Sequence, residues 1–430
     1  MMLNELTLGE ICDQGGGIIR TGPFGSQLHE SDYSEIGTPV VMPKDIIEGK
    51  VAESTIARVS QEHVDRLGQH RLVPGDIVYG RRGDIGRQAL ITQRESGWLC
   101  GTGCLRITPG KSVVDSKWLH YYLRDSQVIA FIAQQAVGAT MPNLNTSILR
   151  SIPIRFPALA IQRRIASVLS AYDDLIENNT RRIAILEEMA RRIYEEWFVR
   201  FRFPGHEEVK MVESELGLIP EGWRRGSISE LYEGLYDGPH ATPKPSTGGP
   251  VFLGIGNLTE TGRMDFSSVR HIAEEDFGKW TKRVCPQPGD IVFTYEATLN
   301  RYALIPNGFR GCLGRRLALI RTNPETHSNL YLFCMFFSEG WRQVVAQNTL
   351  SGATVDRIPL SKFPSFPIMV PSMPIMAVFD GIVRPMFAEI EVLGRKSKNL
   401  RATRDLLLPK LISGELDVST LPEPEEALAA

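Results

Sequence analysis

The chain has 430 residues, 42% hydrophobic and 23% charged, and 48 Lys and Arg against 50 Asp and Glu give it a formal charge of −2. No apolar run approaches the roughly 18–20 residues of a membrane span, and no basic segment followed by an apolar one opens the sequence, so a soluble globular protein of the cytoplasm is expected, without membrane contact. The near-neutral charge argues against a large nucleic-acid footprint. The basic residues are 36 Arg and 12 Lys, a ratio suited to bidentate contact with phosphate or guanine, or one that a GC-rich genome yields without any function.

In chain order, residues 1–157 predict a mixed domain. Short β-rich runs (TPVVM, DIVYG, QALIT, CLRIT) are separated by Gly and Pro turns, and a helix follows near 116–135. Residues 158–202 predict one long amphipathic helix, with Ile161, Ile165, Val168, Tyr172, Leu175, Asn179, Ile183, Leu186, Met189 (or Ala190), Ile193 and Trp197 at steps of three or four. Asn178-Asn179-Thr180 are weak helix formers, so two shorter helices broken there stand as the alternative; in one helix, Asn179 would be a polar residue setting register in a coiled-coil seam. Residues 203–222 read as a linker. Residues 223–372 repeat the first domain, with PVFLG, DIVFT, YALIP and LALIR as strands and a helix over about 328–347. Residues 373–416 predict a second long helix with Ile375, Phe379, Ile382, Met386, Ile390, Leu393, Leu400, Leu407 and Leu411 as its stripe, weakened by Gly381, Pro385, Gly394 and Pro409. Residues 417–430 are an acidic tail, expected to fray.

An internal repeat organises these elements. PGDIV stands at 74–78 and at 288–292, and the same offset of 214 aligns Arg87-x-Ala89-Leu90-Ile91 with Arg301-x-Ala303-Leu304-Ile305 and Gly138-Ala139-Thr140 with Gly352-Ala353-Thr354. The fold class is therefore α+β: two direct repeats, each a mixed domain followed by a long helix. The cheapest partner for each helix is the other, packed as an antiparallel coiled coil, which relates the repeats by a pseudo-two-fold axis.

The repeat fails at particular loops. Between matched strands, Tyr79 to Gly86 faces Phe293 to Asn300; Met141 to Asn145 faces Val355 to Pro359; Arg20 to Ser26 faces Tyr236 to Thr242. Rigid scaffolds with different loops suit two readers of two different things, or ordinary drift after duplication. Motifs of catalysis are not found: Asn323-Pro324-Glu325 lacks the aromatic of an adenine methyltransferase loop, Gly254-x-Gly256 and Gly101-x-Gly103 lack the rest of a dinucleotide site, and no Walker A string occurs. Asp76 and Asp290 read as turn formers rather than metal ligands. The cysteines at 12, 100, 104, 285, 312 and 334 show no metal-ligand spacing.

Several tracts then carry a family likeness. WFVRFRFPGHE (197–207), SELGLIPEGW (214–223), TGPFGS (21–26), DGPHATPK (237–244), PNLNTSILRSIPI (142–154) and LLPKLISGEL (407–416) resemble recurrent motifs of the specificity subunits of type I restriction–modification systems. The likeness covers nearly the whole chain. One departure lies at the helix entries, where the family favours Pro-x-x-x-x-Gln: Pro157 and Gln162 fit, whereas Pro371 is followed by Met376.

The resemblance implies a non-catalytic, DNA-reading adaptor: target-recognition domains at 1–157 and 223–372 reading a bipartite asymmetric site on double-stranded DNA, and helices setting the unread gap. It implies two modification (methyltransferase) subunits and restriction/motor subunits as partners, with S-adenosylmethionine, ATP and Mg belonging to those partners and no cofactor or metal in this chain. On the divergent loops, the implied DNA-binding candidates of the first domain are Arg20, Thr21, Ser26, Lys44, Arg81, Arg82, Thr140, Asn143 and Asn145. Those of the second are Asp237, His240, Thr242, Lys244, Tyr295, Thr298, Asn300, Arg315, Arg316 and Arg357. Each stands as a base reader, as a phosphate contact or as plain surface. A coiled-coil protein scaffold without DNA readout is the alternative function.

Overall fold

A computed structural model describes residues 3–81, 86–135, 143–214, 217–323, 328–352 and 355–421. The chain divides into two compact units, Met1–Glu177 with Ser397–Ala430, and Asn178–Lys396. The boundary runs through both long helices, so a unit is not one sequence repeat. It is one mixed domain with the nearer part of its own helix and the nearer part of the other.

In the first unit, Ile18–Thr21, Cys104–Thr108, Ile77–Gly80 and Gln88–Leu90 lie side by side, in that order, as an antiparallel sheet. Beside it Thr38–Val41 pairs in parallel with Leu99–Cys100, Val40 opposite Leu99. Thr7-Leu8-Gly9-Glu10 is a capping box: the Thr7 hydroxyl accepts from the Glu10 N–H, and the Thr7 N–H donates to the Glu10 carboxylate at 2.7 Å. Asn4–Thr7 pairs with Pro153–Phe156, which closes the domain where the first long helix begins. Leu8, Ile11, Tyr79, Leu105, Trp118, Leu119, Ile165 and Leu169 share one core with Leu411, Ile412 and Val418.

The second unit repeats this plan. Gly234–Asp237, Leu317–Arg321, Ile291–Thr294 and Tyr302–Leu304 form the antiparallel sheet in the same order. Ser246–Leu253 pairs in parallel with Gly311–Leu313, and Arg224–Ser227 closes against Pro367–Val370. Ser227 and Glu230 rebuild the capping box, with the Ser227 N–H donating to Glu230 at 2.7 Å.

Several elements differ from their sequence-based expectations. The helix expected near 116–135 is two, Ser116–Tyr122 and Ser126–Gln135, because the Asp125 carboxylate accepts the Gln127 N–H at 2.8 Å and starts a new helix. The helix expected over 328–347 likewise divides into Asn329–Met335 and Glu339–Asn348, the latter capped by Ser338. The 203–222 linker contains a hairpin, Met211–Ser214 against Gly217–Pro220, with Phe203 and Ile219 buried in the second core. The tail is fastened at its start: Val418 is buried, and the Arg164 guanidinium donates to the Ser419 carbonyl at 3.1 Å.

The first long helix runs unbroken over Leu159–Tyr194 and ends in a π-turn, Glu195–Val199. Its buried line, Leu169, Ile176, Ile183, Ala190 and Trp197, advances by seven; of the expected stripe, Leu175 faces solvent at 53% exposure, and of the two alternatives Ala190 is buried while Met189 is 43% exposed. A packed seam holds the seven-residue step, and counting at 3.6 residues per turn drifts off it. The second helix, Met373–Ser413, keeps its seam at Met376, Phe379, Val383, Leu393, Ser397 and Leu411. Gly381, Pro385, Gly394 and Pro409 all lie on its exposed side, so packing of the seam outweighs their poor helix preference.

Within each unit the two helices run antiparallel. In the first, Asp173 meets Arg404; in the second, Arg182 lies 2.9 Å from Glu389 and the Tyr194 and Trp197 rings pack on Phe379. None of the helices is long and apolar enough to cross a membrane among the described residues. Five of the six cysteines are buried, with burial raising the Cys12, Cys100, Cys312 and Cys334 thiols to about 12; Cys285 is exposed.

Candidate nucleic-acid interface

Backbone hydrogen bonds gather three divergent loops of the first domain. The Gly22 N–H donates to the Cys104 carbonyl at 2.9 Å, the Arg81 N–H to Gly103 at 2.8 Å, and the Leu144 N–H to Arg81 at 2.9 Å. The Gly22 contact needs a glycine, since a Cβ there would lie 2.1 Å from the Gly101 carbonyl. Residues far apart in sequence thus meet at the end of one sheet.

The second domain builds the same clasp. The Gly238 N–H donates to Leu317 at 2.9 Å, the Tyr295 N–H to Arg316 at 3.2 Å, and the Ile358 N–H to Tyr295 at 2.7 Å. A further bond, Ala297 N–H to the Asp356 carbonyl at 2.9 Å, ties the 295–300 loop to the small hairpin of Leu350–Ser351 and Asp356–Arg357.

Side chains on the two clasps differ in kind. In the first domain the Arg81 Nε donates to Asn143 Oδ1 at 3.1 Å, which sets a guanidinium beside an exposed carboxamide. Arg20 donates to the Gln69 backbone and side-chain oxygens, both at 3.3 Å, while Thr21 is half-buried on the same strand. Lys44 is exposed and donates to the Thr55 carbonyl at 3.3 Å; Ser26 is exposed in a turn. Asn145 caps the helix Thr146–Arg150, its Oδ1 accepting the Ile148 N–H at 2.9 Å, so that oxygen is committed to the fold. Arg82 and Thr140 lie outside the described residues.

In the second domain acids and cations are interleaved. Asp237 lies 2.6 Å from His240 and 3.7 Å from Arg283, and Arg316 lies 3.0 Å from Glu296. Tyr295 is 6% exposed, so its clasp contacts are made by its backbone; burial first, then the facing Asp237 carboxylate, push its hydroxyl pKa up. Thr298 and Asn300 are half-buried, and Asn300 Oδ1 accepts from the Tyr302 hydroxyl at 3.3 Å. Thr242, Lys244, Arg315 and Arg357 are exposed.

Sequence reasoning passed over Arg283 and Glu296. Glu296 sits in the divergent loop at the place of Arg82 under the offset of 214, and that exchange of charge was the available signal.

Asp76 and Asp290 occupy equivalent turns. Asp76 accepts from the Val73 N–H at 2.9 Å and the Thr108 hydroxyl at 2.5 Å; Asp290 accepts from the Gln287 N–H at 2.8 Å and from Arg321 at 2.6 Å. Both are turn formers. Among the described residues, no group of three His, Cys, Asp or Glu side chains is placed to hold a metal.

Comparison with known proteins finds similarity over nearly the whole chain. The family model described as Type I restriction modification DNA specificity domain matches residues 4–188. The Type I restriction enzyme MjaIX specificity subunit of Methanocaldococcus jannaschii is 27% identical over 398 residues, 89% of this chain and 88% of its own length. The putative type I restriction enzyme MjaX specificity subunit of the same organism is 24% identical over 410 residues, 94% of this chain and 92% of its own. Among solved structures, the type I restriction–modification S subunit from M. genitalium shares the fold, with a TM-score of 0.55 at 14% identity over 96% of both chains. The first part of the chain thus matches the type I DNA specificity domain, and nearly its whole length is similar to type I restriction enzyme specificity subunits.

Proposed function

We propose that this chain reads a bipartite, asymmetric site on double-stranded DNA, one part through each mixed domain. The observation that carries this reading is a single backbone clasp, built twice, that presents Arg81 and Asn143 in one domain and Glu296, Arg316 and Arg357 in the other. Arg and Asn suit guanine and adenine edges in the major groove, and the remaining cations suit phosphates. As a specificity subunit the chain recognises target sequences and is not itself the catalyst. A scaffold that only binds proteins would need a stable helix pair but no pair of unlike clasps, so it is not favoured.

Within the complex, the chain associates with other restriction–modification subunits. We assign it two modification subunits and the restriction/motor subunits as partners, leave S-adenosylmethionine, ATP and Mg to them, and place it in the cytoplasm. Mapping methylated adenines in a host that carries this chain with its modification subunit tests the reading. A split motif with an unread gap is expected; methylation without a sequence motif, or a single undivided motif, would overturn it.

A further inference from the structure

The turn entering the central strand differs between domains in one costly way. Gly101-Thr102-Gly103 leads into Cys104–Thr108, and Gly314-Arg315-Arg316 leads into Leu317–Arg321. The two turns are equivalent in space: a Cβ on Gly101 would meet the Val41 carbonyl at 2.7 Å, one on Gly314 the Leu253 carbonyl at 2.1 Å, and Val41 and Leu253 end the matching parallel strands. The residue before the strand is left-handed in both, Gly103 at φ 81° and Arg316 at φ 72°. Glycine adopts that backbone freely, whereas an L-residue is strained there by its Cβ. The second domain therefore keeps an arginine where the fold asks for glycine. Of the five left-handed non-glycine residues among those described, Ala297 and Asn300 belong to the same loop cluster, so the strain is concentrated there.

Glu296 holds this arginine. Its carboxylate lies 3.0 Å from the Arg316 Nε, an ion pair without hydrogen-bond alignment; the Nε is enclosed, while the side chain as a whole stays 33% exposed. Glu296 is itself pinned, since its backbone pairs with that of Arg357 in an isolated antiparallel β-bridge and lies between the Tyr295 and Ala297 backbone bonds. An acid on a DNA-facing surface repels phosphate, so its presence there calls for a task that offsets the repulsion.

We propose that Arg316 is a specificity-determining residue of the second domain, reading the paired acceptors of a guanine edge, and that Glu296 is the positioning residue that aims it. This rests on the two-reader reading above. The complex with the modification subunit is tested on DNA carrying every single-base variant of the mapped site, at two salt concentrations, as wild type, Glu296→Gln, Arg316→Lys, Arg316→Gly and the Glu296→Gln/Arg316→Gly double variant. Both Arg316 variants and Glu296→Gln should relax one and the same base pair of the second half-site, by roughly ten- to hundredfold for Arg316→Gly. Glu296→Gln should at the same time leave binding to unrelated DNA unchanged or stronger, a split that general structural damage does not give. The double variant should discriminate no worse than Arg316→Gly alone, because the two residues act as one unit. Recognition of the first half-site, unchanged throughout, shows that each variant is folded and assembled. Discrimination kept in Glu296→Gln, or different base pairs relaxed by the two residues, would overturn the proposal while leaving the two-reader reading intact. A wild-type complex without a split motif would overturn that reading instead.

Discussion

The two units share a sheet order, a clasp and a capping box, yet they fasten the long helices by different chemistry. In the first, Gln162 is fully buried, its Oε1 accepting the Asp115 N–H at 2.8 Å and its Nε2 donating to the Pro157 carbonyl at 2.8 Å. Deeper along the same helix, Asp173 takes the Tyr121 hydroxyl at 2.6 Å and pairs with Arg404 and Arg124. In the second unit the place of Gln162 is held by Met376, 2% exposed, and the fastening is aromatic: Tyr194, Trp197 and Phe198 pack around Phe379, with ring centroids 5.1–6.4 Å apart. Backbone geometry survives duplication because hydrogen bonds and turn conformations constrain it. The contents of a seam can change from polar to apolar as long as volume is filled and each buried polar group finds a partner.

Exchanging the clasps tests that comparison most severely. Replacing residues 1–157 with the corresponding domain of a relative should change one half of the methylated motif completely and leave the other half as it was. Changes in both halves, or in neither, would show that the domains do not read independently.

The fastenings come next. Asp173→Ala leaves Arg404, with a side chain 11% exposed, buried without its main counter-charge, and should cost about 3–5 kcal/mol. Phe379→Ala, which empties the aromatic cluster, should cost a similar ~3–5 kcal/mol. Amide exchange should localise the first loss to the first unit and the second loss to the second. Protection lost equally in both units would mean that the seams are one cooperative structure. Gln162→Ala strands the Asp115 N–H and should cost about 1–3 kcal/mol, read in the same experiment.

Arg81→Ala acts on recognition rather than folding. If Arg81 reads a base, one position of the first half-site should relax by about 1–3 kcal/mol; if it contacts phosphate, all sequences should weaken together and the salt slope should fall. Unchanged affinity on the whole panel would remove it from the interface.

The smallest expected effect is on pH. Burial raises the Asp173 carboxyl pKa, but the Tyr121 hydrogen bond and the Arg404 and Arg124 charges outweigh it and hold the group below the usual carboxylate range. A depressed carboxyl stabilises the fold above its unfolded value, near about pH 4, and that contribution is lost as the pH falls through the folded value. Between about pH 5 and pH 3, exchange corrected for its intrinsic pH dependence should therefore rise around Asp173 and Arg404 before it rises around Phe379. Simultaneous loosening would contradict the polar–aromatic contrast.

Much of this architecture is written in the sequence itself. The 214-residue offset gave the two mixed domains, the eight named strands and both long helices, because β-runs, turn residues and a helical period are local properties of the chain. The divergent loops were legible for the same reason, as gaps in an otherwise constant pattern. What the loops do with their side chains was not. Asn145 reads as a base contact until its oxygen is found capping a helix, Tyr295 until its ring is found in the core, and Glu296 is passed over as an acid until Arg316 is found beside it. The seam shows the same division: periodicity supplied a helix, but only packing against a second helix selected Ile176 over the expected Leu175 and decided between Met189 and Ala190 in favour of Ala190. Local propensity acts over one or two turns of chain. Which face is buried, which polar atom is already satisfied and which backbone is strained depend on how near and distant segments come together, and that is decided only in the folded protein.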